Sequence, residues 1–197
     1  MPKEIISSRR LHYAFDEQTF KRFRATELKV KLATSNWERQ RYFTLRERVF
    51  IDEQQLLTRE QDGDDFKATA IVALASNCGM SDDVIGAVRI FQVNDASYPN
   101  LWFGGRLCVA KDYRGHRNIG KTLINTAVSR AKLLGCTHFR AYVQLQNVSY
   151  FEGLHWRQID EKNIAGRPHK LMYADLSAYP LTCLPAPEIN DPERTMA

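Results

Sequence analysis

Apolar and polar positions change period several times along the chain. Residues 28–33 (LKVKLA) alternate apolar with polar, as a half-buried strand does. Ser35 or Asn36 can cap a helix that carries Trp37, Leu45, Val49 and Phe50. Residues 66–75 and 84–92 are apolar runs that predict two strands joined by the turn residues NCGMSDD. After a loop at 96–100, residues 106–110 (RLCVA) predict a short strand and 111–120 a loop. From Ile119 the apolar residues Ile119, Leu123, Ala127, Ala131 and Leu134, with Ile124 and Val128 beside them, form a helical stripe. Residues 139–144 predict a strand, 147–152 a short helix, 154–156 the start of a further strand and 169–176 the last one. Antiparallel strands followed by strand–helix alternation imply an α+β fold with a mixed sheet flanked by helices.

With 197 residues, a single domain over 1–197 is expected, with its core at about 28–176. The basic, aromatic segment 1–27 and the proline-rich tail 178–197 are expected to be peripheral, and are the candidate contacts of a homodimer. The composition, 44% hydrophobic and 26% charged, is that of an ordinary globular protein. No apolar run approaches the roughly 20 residues that span a membrane, and MPKEIISSRR has no apolar signal region, so a cytoplasmic protein is expected. Cys78, Cys108, Cys136 and Cys183 form no C-x-x-C pair, which argues against a disulfide framework or zinc site. Cys108 and Cys136 are expected to pack as small apolar residues. The net charge of +5 comes from scattered basic residues without a K/R-rich run or aromatic stacking platform, which disfavours nucleic acid as a partner.

The loop at 111–120 changes the picture. It sets Lys111, Arg114, His116 and Arg117 against a single acid, Asp112, directly before a long helix. Backbone N–H groups at a helix start are unpaired and partly positive, so loop and helix end together suit an anion. Arg114, Arg117 and Lys121 would add full charges, and a phosphorylated ligand is the natural occupant.

The strand, the loop YRGHRNIGKTLI and the long helix resemble the acyl-CoA binding segment of the GCN5-related N-acetyltransferases, whose Q/R-x-x-G-x-G/A loop holds the coenzyme A pyrophosphate on backbone N–H groups. Gly120 matches the second glycine and Ile119-Gly120 the usual pair. Asn118 stands at the first glycine, and Asn tolerates the left-handed region better than most residues. Arg114 lies one residue further upstream than the pattern, so the loop is one residue longer. The later strand, short helix and LHW resemble the segment beside the pantetheine arm. The combination of RERVFIDEQ, GGRLCVAKDYRGHRNIG, VQLQNVSYFEGLHW and AGRPHKLMYADLSAYP is most similar to a bacterial branch of nitrogen-starvation N-acetyltransferases.

This resemblance implies a twisted mixed sheet splayed between its fourth and fifth strands. It implies acetyl-CoA, or another short acyl-CoA, as acyl donor, a small-molecule primary amine as acceptor, direct attack in a ternary complex, and no metal. The phosphates would lie against Arg114, Gly115, Arg117, Asn118, Ile119, Gly120 and Lys121. Backbone N–H groups around Leu107, Cys108 and Val109 would hold the carbonyl and the pantetheine, with Asn147 and Phe151 along the arm. The family's proton-donating tyrosine falls on Phe151, which has no proton to give; Tyr150 is the neighbouring candidate. Glu53, the Glu60, Asp62, Asp64 and Asp65 cluster, and His169 are the candidate bases.

The acids Glu60, Asp62, Asp64 and Asp65 read as an ordinary exposed turn. Glu60-x-Asp62-x-x-Asp65 together with Arg106 also resembles acyl-homoserine-lactone synthases, which share the fold and use S-adenosylmethionine; that is the alternative function. A CoA-binding sensor without turnover is a further alternative, motivated by Phe151 and Asn118. The acids lack the ligand spacing of a calcium loop.

Overall fold

A computed structural model describes residues 27–77, 80–115 and 118–181. The N-terminal segment 1–26, Cys78 and Gly79 of the expected turn, His116 and Arg117 of the basic loop, and the tail from 182, with Cys183, lie outside the described residues.

The chain runs β1 (Glu27–Leu32), α1 (Asn36–Glu47), β2 (Thr69–Asn77), β3 (Met80–Val93), β4 (Leu101–Val109), α2 (Ile119–Leu133), β5 (His138–Gln144), α3 (Val148–Glu152), β6 (Trp156–Ile164) and β7 (Arg167–Ala174). The seven strands form one mixed sheet in the order β1-β2-β3-β4-β5-β7-β6. Neighbours pair antiparallel except β4 and β5, which are parallel. The crossover between those two is α2, as a parallel pair requires.

Local chemistry explains the helix ends. Ser35 caps α1 by accepting from the Glu38 N–H, while the Glu38 carboxylate accepts from the Ser35 N–H. α1 then widens into a π-helical turn, Arg48–Glu53, which carries the chain to Gln54 at the mouth of the sheet. α2 buries Ile119, Leu123, Ile124, Ala127, Val128 and Ala131 of the expected stripe, while Leu134, at the C-cap, is exposed. It packs over Gly86, where an added Cβ would lie 2.9 Å from Leu123 Cδ1.

Two expectations are corrected. β4 begins at Leu101, not at residue 106, because Leu101 and Trp102 are core residues and Gly104 and Gly105 continue the strand. Gly104 leaves room for the Phe139 ring, which would lie 3.1 Å from an added Cβ. The acidic segment is not an ordinary exposed turn, since Glu60 is only 1% exposed. Cys108 and Cys136 are buried, as expected.

Candidate active site

β4 and β5 pair only at Leu101–Gly104 against His138–Ala141. Beyond these four positions the strands part, and the sheet opens into a V. A throat of about 150 Å³ lies inside it, floored by Val88, Ile124, Ala127 and Phe139. Two mouths adjoin the throat. The first, about 450 Å³, shares Gln54, Leu107, Gln144, Asn147 and Phe151 with it. The second, about 420 Å³, shares Leu56, Gly104, Gly105, Arg106, Tyr142 and His169. The splay is therefore lined as one passage reached from two sides.

The opening follows from a defect in β4. The register with β3 shifts between Ala87 and Arg89, where Val88 faces two residues of β4, and Arg106 sits in this bulge with φ 56°. For an arginine that backbone region is costly and is held by its surroundings. From Gly105 to Val109, β4 has no strand partner on the β5 side. The Val109 carbonyl accepts there from Arg114 Nε at 2.9 Å. By the two-residue repeat of a strand, Leu107 turns its backbone groups the same way.

The first mouth carries the basic loop. Gly115 has φ 73°, and Asn118, the N-cap of α2, has φ 52°, the left-handed conformation that the sequence reading assigned to a glycine substitute. The first N–H groups of α2 have no intrahelical partner. Arg114 donates from Nη2 to Glu53 Oε2 at 2.5 Å. Gly120 faces Tyr150, whose hydroxyl would lie 3.2 Å from an added Cβ. Gln146 donates to Gln144, and Gln144 to Gln54, so three side-chain amides cross from β5 to the end of the π turn.

The second mouth holds His169, 5% exposed, on β7. Its Nδ1 lies 2.9 Å from the Arg167 carbonyl. A carbonyl only accepts, so Nδ1 carries a proton, and in the neutral imidazole Nε2 is the acceptor. Among the described residues Nε2 has no hydrogen-bond partner.

Behind this mouth stand three arginines and three acids. Arg46 bonds Glu60 and Asp65; Arg89 bonds Asp62 and lies 2.8 Å from Asp65; Arg106 bonds Asp62 and lies 2.9 Å from Glu60 Oε1 without hydrogen-bond alignment. Burial alone would raise the Asp65 carboxyl, but hydrogen bonds from Arg46, the Asp62 N–H and Arg89 hold it well below the usual carboxylate range. Arg89 does the same to Asp62.

The expected site residues thus divide. Leu107, Cys108, Val109, Arg114, Gly115, Asn118, Ile119, Gly120, Asn147, Tyr150 and Phe151 all line the first mouth. His169 reaches the throat from the other side. Glu53 is turned to Arg114 and does not line the throat or either mouth. Tyr150, 47% exposed, sits over the start of α2 and not in the throat. Lys121 is exposed on the first turn of α2. Burial pushes the Cys108 thiol up to about 12, so it stays protonated at neutral pH. Sequence reasoning missed Gln54, Gln144, Arg46 and Arg89. Their partners lie far along the chain, where no local pattern announces them. Among the described residues no group of three or more His, Cys, Asp or Glu side chains could hold a metal ion, and no helix is long and apolar enough to cross a membrane.

A sequence model described as "Acetyltransferase (GNAT) family" matches residues 26–152. A search of curated proteins gives no significant match. Among solved structures, a Lactobacillus plantarum protein assigned as an N-acetyltransferase aligns with TM-score 0.64 at 24% identity, covering 75% of this chain and 97% of that one. Escherichia coli ElaA aligns with TM-score 0.62 at 19% identity, covering 76% and 99%. An acyl-CoA N-acyltransferase from Pseudomonas aeruginosa aligns with TM-score 0.61 at 19% identity, covering 75% and 98%. At these identities the likeness is one of fold.

Proposed function

We propose that this chain, which belongs to the acetyltransferase (GNAT) family, is a single-domain enzyme that transfers an acyl group, most simply acetyl, from acyl-CoA to the primary amine of a small molecule. The observation that carries the proposal is the passage through the splayed sheet, with a phosphate-suited loop at one mouth and a free imidazole nitrogen at the other. Donor and acceptor would enter from opposite sides and meet in the throat.

The donor phosphates would lie on the N–H groups of Asn118, Ile119 and Gly120, with Arg114, Arg117 and Lys121 around them. The extended arm would follow the unpaired edge of β4 at Leu107, Cys108 and Val109, passing Asn147 and Phe151. The N–H groups of that edge would polarise the thioester carbonyl. Holding both reactants in one throat supplies much of the rate by itself. His169 Nε2 would take the amine proton. Glu53 would orient Arg114. Tyr150, whose phenol partial burial pushes up, would close the mouth over Gly120 and is the candidate donor of a proton to the leaving thiolate.

The same reading keeps the nitrogen-starvation branch, a cytoplasmic location and a homodimer as proposals, on the sequence features given above. The lactone-synthase alternative rests on Glu60, Asp62 and Asp65, which lie with Arg106 in one network of ion pairs; a product screen that finds no lactone with any acyl donor would eliminate it.

Release of free thiol from acetyl-CoA, measured across a panel of primary amines, tests the proposal. Amine-dependent release is expected. A folded protein that binds acetyl-CoA and releases no thiol with any amine would leave a sensor instead.

A further inference from the structure

The second mouth is built for more than an amine. Three rings from neighbouring strands form a row along it. Phe91 on β3 and Phe103 on β4 stack with centroids 6.3 Å apart, and Phe103 and Tyr142 on β5 stack at 5.7 Å. Tyr142 is also shared with the throat, so the row leads to the position of His169.

Beside the rings lie two guanidinium groups. Arg89 is 4% exposed, and its Nη1 and Nη2 donate to Asp62, but its Nε has no hydrogen-bond partner among the described residues. That Nε faces the bare side of Gly105, where an added Cβ would be 3.8 Å away, and both residues line the mouth. A buried N–H left in this state is destabilising unless an oxygen comes to it. Arg106 lines the same mouth and the throat. Each guanidinium charge is already balanced by an acid. Such a site suits one carboxylate held by directed hydrogen bonds, not a multiply charged phosphate.

Resting on the N-acyltransferase reading, we infer that the acceptor carries a carboxylate and an aromatic or large apolar side chain next to its amine, the chemistry of an aromatic α-amino acid. The carboxylate meets Arg89 and Arg106, the side chain lies on the Phe91–Phe103–Tyr142 row, and the amine faces His169 Nε2. Aromatic contacts of this kind add to area burial.

The test titrates the CoA-saturated protein with L-phenylalanine, 2-phenylethylamine and glycine, and follows thiol release from acetyl-CoA with the same three. L-Phenylalanine is expected to bind at least tenfold more tightly than either of the others. Phe103→Ala is expected to weaken L-phenylalanine binding at least fivefold while the titration with CoA is unchanged. Equal binding of 2-phenylethylamine would overturn the carboxylate contact, and equal binding of glycine would overturn the role of the rings. Acetylation of other amines without binding of L-phenylalanine would overturn the inference and leave the N-acyltransferase reading standing. Failure of that reading looks different: L-phenylalanine binds as expected, yet no amine releases thiol.

Discussion

Arg46 Nε lies 2.7 Å from Glu60 Oε1, with both side chains closed to solvent. The pair ties α1 to a segment 14 residues further along, and Asp65 and Asp62 extend it through Arg89 and Arg106 to the bulge of β4. Removing one partner strands a buried charge, which costs about 3–5 kcal/mol. Asp65→Asn is therefore expected to lower stability by about that amount in denaturant unfolding. A loss under about 1 kcal/mol would show that the network is not holding the bulge.

The same network sets an acid limit. The folded-state values of Asp62 and Asp65 lie below the ordinary range, so their contribution is complete above the unfolded carboxylate value of about 3.9 and is lost as pH falls below it. Unfolding followed by circular dichroism is expected to show stability falling steeply below about pH 4. In Asp65→Asn this slope is expected to be shallower, since the substituted side chain no longer takes up a proton.

His169 presents Nε2 to the throat because Nδ1 is held by the Arg167 carbonyl. His169→Gln is expected to lower kcat by about 100-fold or more, with the affinity for acetyl-CoA within about twofold of the parent, since general base catalysis contributes about that much. Steady-state kinetics checks both. Unchanged kcat would move the base elsewhere.

Gly120→Val places a branched side chain against the Tyr150 hydroxyl and over the first N–H groups of α2. Calorimetric titration is expected to show acetyl-CoA affinity at least tenfold weaker, with an unchanged circular dichroism spectrum. Retained affinity would place the phosphates elsewhere.

Cys108 and Cys136 are buried, and burial pushes both thiols up to about 12. Peptide mapping after iodoacetamide treatment of the native protein at pH 8 is expected to find both unmodified. Rapid labelling of Cys108 would mean that β4 opens to solvent at the first mouth.

What could be read from sequence was what is local. The stripe from Ile119 to Ala131 is a period, and Asn118 at a left-handed position is a one-residue property, so α2 and its loop were legible. The splay itself followed only from resemblance to a family. The start of β4 was hidden because Gly104 and Gly105 look like a break, whereas Gly104 makes room for the Phe139 ring. The buried arginines were hidden because charge patterning gives a solvated face by default. Nothing near Arg46 in sequence announces partners 14 and 19 residues away. Gln54 and Gln144 meet across 90 residues, a distance at which composition and period carry no information.

Acyl transfer here requires a donor held in the splayed sheet, and the most direct test is a calorimetric titration of the purified protein with acetyl-CoA. One site per chain with a Kd in the micromolar range is the predicted result, in keeping with ordinary enzyme–substrate affinities. A folded protein that takes up no heat-detectable acetyl-CoA would contradict the phosphate loop, the passage and the transfer reaction together.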